Sequence, residues 1–64
     1  MQNLPKYLTE REVSEFTRIG MKTLQQHRWK NTGIPYHKFG GTVRYSEEDV
    51  LQYMKNCRVE TEIA

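Results

Sequence analysis

The sequence predicts a small, mainly α domain (α+β) of three helices and one two-stranded hairpin, in the order ααββα. Three observations predict it. Thr9 with Glu12, and Ser46 ahead of Glu47, Glu48 and Asp49, are two helix starts with side-chain caps and acids in the first turn. Gly20 ahead of a periodic run, closed by Asn31 and Gly33, brackets a third helix. Between the second and third starts, Gly40 and Gly41 separate two short β-rich runs.

Sixty-four residues allow one domain, taken as residues 1–64 with an ordered core of about 7–57. A chain this short buries only about 60% of its unfolded surface, which leaves little room for a deep catalytic cleft. The single cysteine, Cys57, cannot form an internal disulfide. No apolar run approaches the roughly 20 residues of a membrane span, and the N-terminus lacks the apolar centre of a signal peptide. The expected compartment is the cytoplasm.

In chain order, residues 1–6 carry no periodic signal and read as a loose arm, with Pro5 biasing Leu4 to an extended conformation. The first helix starts after Thr9, whose hydroxyl can accept from the Glu12 amide while the Glu12 carboxylate reaches back. Leu8 is a staple candidate for Val13. Val13 and Phe16 form a narrow apolar stripe, and the helix ends near Thr17 and Arg18. Arg18, Ile19 and Gly20 make a turn, with Ile19 as its apolar plug. The second helix covers about residues 21–30. With Leu24 taken as inward and about 100° per residue, Met21, His27 and Arg28 lie near it. Lys22, Gln26 and Trp29 lie on the far side, with Gln25 and Lys30 flanking.

Ile34 and Pro35 mark an extended exit. Residues 36–39 and 43–45 are read as strands joined by residues 40–42. Phe39, Val43 and Tyr45 are expected on one buried face, with Lys38 and Arg44 outward and Thr42 at the tip. In the third helix Val50, Tyr53, Met54 and Cys57 fall at i, i+3, i+4 and i+7, a core-facing stripe. Residues 58–64 lose the pattern and read as a frayed end.

Charge gives this plan a direction. Residues 16–46 contain six Lys or Arg and no acid, a formal +6, while the flanks sum to −4 and the chain to +2. Such segregation suits one face turned to a polyanion. Two short helices joined by a tight turn containing Gly make a helix-turn-helix, whose second helix enters the DNA major groove. A hairpin with basic residues beside that helix is a wing. Gln and Lys are side chains able to read base edges.

The runs YLTEREVSEF and GIPYHKFGGTVRYSEEDVLQYM, with a Gly turn and Thr23-Leu24 between them, resemble the excisionase/AlpA-like winged helix-turn-helix family, within the MerR superfamily. The most specific part is Pro35 and Tyr36, Lys38 to Gly41, and Val43 to Tyr45, followed by acids and Val50. The resemblance covers Tyr7 to about Met54. It implies an excisionase, or recombination directionality factor, of a mobile element, or alternatively a small transcription regulator. It also implies a recognition helix from about Met21 and a wing reaching DNA near Gly41 and Thr42. Two positions depart from the family pattern. Arg18 and Gly20 stand where Gly and a small polar cap are usual. His27 occupies a position that often holds Trp, while Trp29 lies two residues on. A two-residue shift turns a side chain by about 200°, so Trp29 is expected outside, or the helix is registered differently.

The candidate DNA-binding residues are Met21, Lys22, Thr23, Gln25, Gln26 and Trp29 on the second helix. To these are added Arg28, Lys30, Lys38, Gly41, Thr42 and Arg44 for the wing and backbone. Arg28 is either a phosphate anchor or a stem covering apolar surface. His27, His37 and Cys57 match no ligand spacing, so no metal or other cofactor is expected. Cys57 reads as a small buried apolar residue. No nucleophile–base arrangement is legible, so no enzymatic activity and no small-molecule substrate are expected. The expected partner is double-stranded DNA, with an integrase or recombinase, or further copies side by side, as possible additions. The chain has no effector domain or coiled coil, which leans toward the architectural role. A protein-interaction module built on Trp29, Leu51 and the acidic third helix is the reading of a different class.

Overall fold

The computed structural model describes residue 4 and residues 6–61. The arm expected at residues 1–6 therefore falls largely outside the described residues, as does the end of the tail expected at 58–64. The element order is β1 (Tyr7–Leu8), α1 (Glu10–Thr17), α2 (Met21–Trp29), β2 (His37–Phe39), β3 (Thr42–Ser46), α3 (Glu47–Asn56). These are the three helices and hairpin of a winged helix-turn-helix, with one addition. Tyr7 and Leu8 pair antiparallel with Ser46 and Tyr45, so the hairpin becomes a three-stranded sheet of order β1-β3-β2. The order is thus βααββα rather than ααββα, because a two-residue strand is too short to show a period.

The caps form as local chemistry dictates. The Thr9 hydroxyl accepts from the Glu12 amide at 3.1 Å, and the Thr9 amide donates to Glu12 Oε1 at 2.9 Å. That amide is the main reason the Glu12 carboxyl titrates below its ordinary range. The Asp49 amide donates to Ser46 Oγ at 3.0 Å. Helix α1 ends on Arg18 in the left-handed region, φ 63°, with its amide donating to the Ser14 carbonyl. The turn is held by Ser14 Oγ donating to the Ile19 carbonyl at 2.7 Å and the Ile19 amide donating to Thr17 Oγ1 at 3.2 Å. Helix α2 ends in a Schellman motif. Asn31 has φ 54°, the Thr32 amide donates to the His27 carbonyl, and the Asn31 amide donates to the Arg28 carbonyl.

Val13, Leu24, Ile34, Tyr45 and Val50 form the buried core, one or more from each helix plus β3 and the α2–β2 connection. Leu8, Ile19, Tyr36, Val43 and Tyr53 close around it half-buried. Several expected core residues lie outside it. Phe16 is 57% exposed, and Val13 is the one residue of α1 that is buried. Met54 is exposed, and Cys57, the C-cap of α3, is an exposed thiol beyond the end of the sheet.

The hairpin register corrects the expected faces. Phe39 pairs with Thr42, Lys38 with Val43 and His37 with Arg44. The loop is therefore two residues long, Gly40 (φ 64°) and Gly41, not three. A one-residue change of register exchanges the faces of a strand. Lys38 thus joins Val43 and Tyr45 on the core side, at the exposed edge. Phe39, 53% exposed, joins His37, Arg44 and Tyr7 on the outer side. There Tyr7 meets both His37 and Phe39 edge-on, with centroids 5.2 and 5.4 Å apart.

Two backbone positions test this description. Arg18→Gly relieves a left-handed side chain and is expected to raise stability by about 0.5–1 kcal/mol, several degrees in Tm. Gly33→Ala is expected to lower it by more than about 2 kcal/mol. At Gly33 φ is 81°, and a Cβ would lie 2.6 Å from His27 Nδ1. Thermal unfolding of both variants checks the pair; equal or inverted shifts would contradict the assigned turn geometry.

Candidate nucleic-acid interface

The site is built from α2 outward. Leu24 is buried, so its helix stands with one side in the core. Lys22, Thr23, Gln25, Gln26, Trp29 and Lys30 are exposed, and Met21 and Arg28 are half-buried. The indole of Trp29 is 90% exposed, which places it outside as the helical angle requires. Between α2 and β2 lies a cleft of about 580 Å³ lined by Lys22, Gln25, Gln26, Arg28, Trp29, Tyr36 and Lys38. Three cations and two amides line it, and none of its lining residues is an acid. The structure thus brings Lys38 together with α2. Gly41 and Thr42 are exposed at and beside the loop, and Arg44 is not in the cleft.

Arg44 is half-buried on the outer face of the sheet, where its Nη1 donates to its own Val43 carbonyl at 2.7 Å. The expectation that Lys38 and Arg44 project together is corrected by the register. Arg28 is also engaged. Its Nε donates to Glu10 Oε2 at 2.7 Å and its Nη2 reaches Glu10 Oε1 at 3.4 Å, while its guanidinium lies 5.8 Å from the centre of the Tyr36 ring. Tyr45 Oη donates to the same Glu10 Oε2 at 2.9 Å. The structure gives Arg28 an ion pair with Glu10, which is neither of the two roles expected for it from the sequence.

Glu10 was not legible as a site residue. In the sequence it is a first-turn acid; in the fold it joins α1, α2 and β3. Burial works against its charged form, yet hydrogen bonds from Arg28, Tyr45 and Gln25 outweigh that and hold its carboxyl below the usual range. The Glu10 carboxylate in turn raises the Arg28 guanidinium. Burial first, and then the bond to Glu10, push the Tyr45 hydroxyl well up. The remaining cations of the basic stretch, Arg18, Lys22, Lys30 and Lys38, are exposed and have no ion-pair partner among the described residues.

A family model described as a helix-turn-helix domain matches residues 7–58. The chain belongs to that helix-turn-helix family. The match spans every element from β1 to the end of α3, so the whole fold, wing included, is the family unit. No curated protein and no solved structure matches the chain. The helices α1 and α2 are the pair of the helix-turn-helix; in motifs of this kind generally the second helix of the pair is the one that enters DNA. Among the described residues no helix is long and apolar enough to cross a membrane, and no three His, Cys, Asp or Glu side chains gather as a metal site.

The ion pair sets a stability prediction. Arg28→Ala leaves a largely covered carboxylate short of its main donor and is expected to destabilise the domain by about 1–3 kcal/mol. Lys30→Ala should stay within about 0.5 kcal/mol. Urea unfolding distinguishes them, and equal effects would contradict a structural role for Arg28. Acid gives a second test. A carboxyl whose folded pKa is depressed stabilises fully above its unfolded value, ordinarily 4.5, and that contribution is lost as pH falls through the lower folded value. Stability should therefore hold above pH 4.5 and decline below it, with the Glu12 cap acting in the same direction. Glu10→Gln should be less stable at neutral pH and should decline less steeply; an unchanged acid profile in that variant would contradict the assignment.

Proposed function

We propose that this helix-turn-helix domain binds double-stranded DNA with α2 in the major groove and the hairpin against the adjacent backbone or minor groove. The observation that carries the reading is the acid-free cleft between α2 and β2, where recognition helix and wing present Lys22 and Lys38 to the same space. Met21, Lys22, Thr23, Gln25, Gln26 and Trp29 are the proposed helix contacts. Amides and ammonium groups on the exposed side of a helix are able to meet base edges. Lys30, Lys38, Gly41 and Thr42 are the proposed backbone contacts, since phosphate contact tolerates imprecise geometry. Arg28 and Arg44 have internal partners and are assigned lesser roles.

Within DNA binding we propose the architectural role of an excisionase of a mobile element, acting beside an integrase or with further copies on the duplex. Its support is the resemblance running from Tyr7 to Met54, above all the wing sequence from Pro35 to Tyr45. A small transcription regulator would use the same face; circular-permutation electrophoresis separates the two, because an architectural protein bends its site. The proposed compartment is the cytoplasm, with the protein on the nucleoid when bound.

Titration of a duplex selected from a random pool tests the interface. If Lys22, Lys30 and Lys38 each meet a phosphate, log K against log[salt] falls with a slope of about −2.7. Lys22→Glu with Lys38→Glu should abolish retardation with the fold intact by circular dichroism. Lys38→Ala should weaken binding more than Arg44→Ala. A slope near zero, or the reverse order of the two alanine variants, would contradict the proposed face.

A further inference from the structure

The helices α1 and α3 each carry an apolar side chain that the core does not use. Phe16 is 57% and Leu51 48% exposed. With Leu8 and Val50 they line a groove of about 270 Å³ whose charged rim is Lys6, Glu12 and Glu47. A second concavity continues it through Lys6, Glu47 and Leu51, adding Leu4, Glu48 and Asp49. The combined rim holds four acids, one lysine and His37, which lies 3.6 Å from Asp49. No residue of this surface lines the cleft between α2 and β2.

We propose that the α1–α3 groove is a second, protein-binding interface that takes an amphipathic helix with an apolar stripe flanked by Lys or Arg. The proposal does not rest on the DNA reading. Apolar floor and acidic rim together select the occupant. The groove is walled by Phe16 of α1 and Leu51 of α3 and floored by Leu8 and Val50, an apolar furrow on which a helix can seat residues as i, i+3, i+4 anchors. The acids favour a cationic flank and disfavour a nucleic acid or an anionic membrane surface. Among the described residues a second copy of this chain offers no such helix. Its basic helix, α2, already buries its apolar side through Leu24, and the first turns of α1 and α3 are acidic. The acids excluded from residues 16–46 are thereby given a use, on a surface that stays open when the cleft is occupied.

The probe is a synthetic peptide of about 16 residues with Leu at helical spacing and Lys at the flanking positions. The control has Glu in place of each Lys. Each is titrated into the full ¹⁵N-labelled chain, free and bound to duplex. The Lys peptide is expected to shift amides around Phe16, Val50 and Leu51 in both states, and the Glu peptide to bind at least about ten-fold more weakly. Phe16→Ser and Leu51→Ser, both at exposed positions, should each weaken the Lys peptide by about ten-fold or more. They should leave duplex retardation unchanged. Glu48→Lys, which leaves the apolar floor intact, should narrow the preference between the peptides. Absence of binding, shifts confined to α2, or equal binding of the two peptides overturns the proposal. So does a dimer in sedimentation that Leu51→Ser dissolves, because a second copy would then own the groove.

Discussion

The Glu10 carboxylate is the point on which the arrangement depends. It accepts from Arg28 near the end of α2 and from Tyr45 near the end of β3, while its own backbone opens α1. Recognition helix and wing belong to different parts of the chain and touch one another little. What fixes their separation is that both are tied to one carboxylate above a small core, Arg28 through both oxygens and Tyr45 through Oε2. A helix of two turns and a hairpin of short strands are each marginal alone. Five buried side chains and one shared carboxylate turn them into a frame. The arrangement uses a cation of the basic stretch internally, so the +6 of that stretch overstates what a polyanion would meet.

The register of the hairpin has a similar reach. With a two-residue loop, Lys38 falls on the side of α2 and Arg44 on the other, so the wing presents one cation to the cleft instead of two. The outer face instead carries the Tyr7, His37 and Phe39 rings, with His37 Nε2 3.6 Å from Asp49 Oδ2 of α3. The sheet therefore has two different surfaces, one continuous with α2 and one continuous with the acidic start of α3. Charge segregation visible along the sequence becomes segregation in space, but the boundary runs through the wing rather than around it.

What was legible in the sequence was what is decided locally. Thr9 with Glu12, Ser46 with Asp49, and Asn31 at the end of α2 act within a turn of themselves, and the helices begin and end within a residue or so of where those signals place them. With Leu24 taken as inward, the exposure of Trp29 follows from helical angle alone. The features that were not legible are set by distant partners. Strand β1 exists only through Ser46 and Tyr45. Glu10 meets residues 18 and 35 positions away, and nothing near it in sequence announces either. Phe39 lies outward rather than inward because the loop holds two residues, not the three that Gly40, Gly41 and Thr42 suggest, and in a strand a shift of one residue reverses every side chain. Phe16 and Cys57 had the right spacing for a stripe, but the core ends before it reaches them. Of the candidate site, the exposed side of α2 is legible by periodicity, whereas the different surroundings of Lys38, Arg28 and Arg44 are set by the fold.

The most direct test of the central claim is amide chemical-shift mapping of the ¹⁵N-labelled chain titrated with a bound duplex. An interface centred on the α2–β2 cleft predicts the largest shifts at Lys22, Gln25, Gln26, Trp29 and Lys38, with Gly41 and Thr42 next and Phe16 and Leu51 unmoved. Largest shifts on the outer sheet face or along α3, with α2 silent, would contradict it.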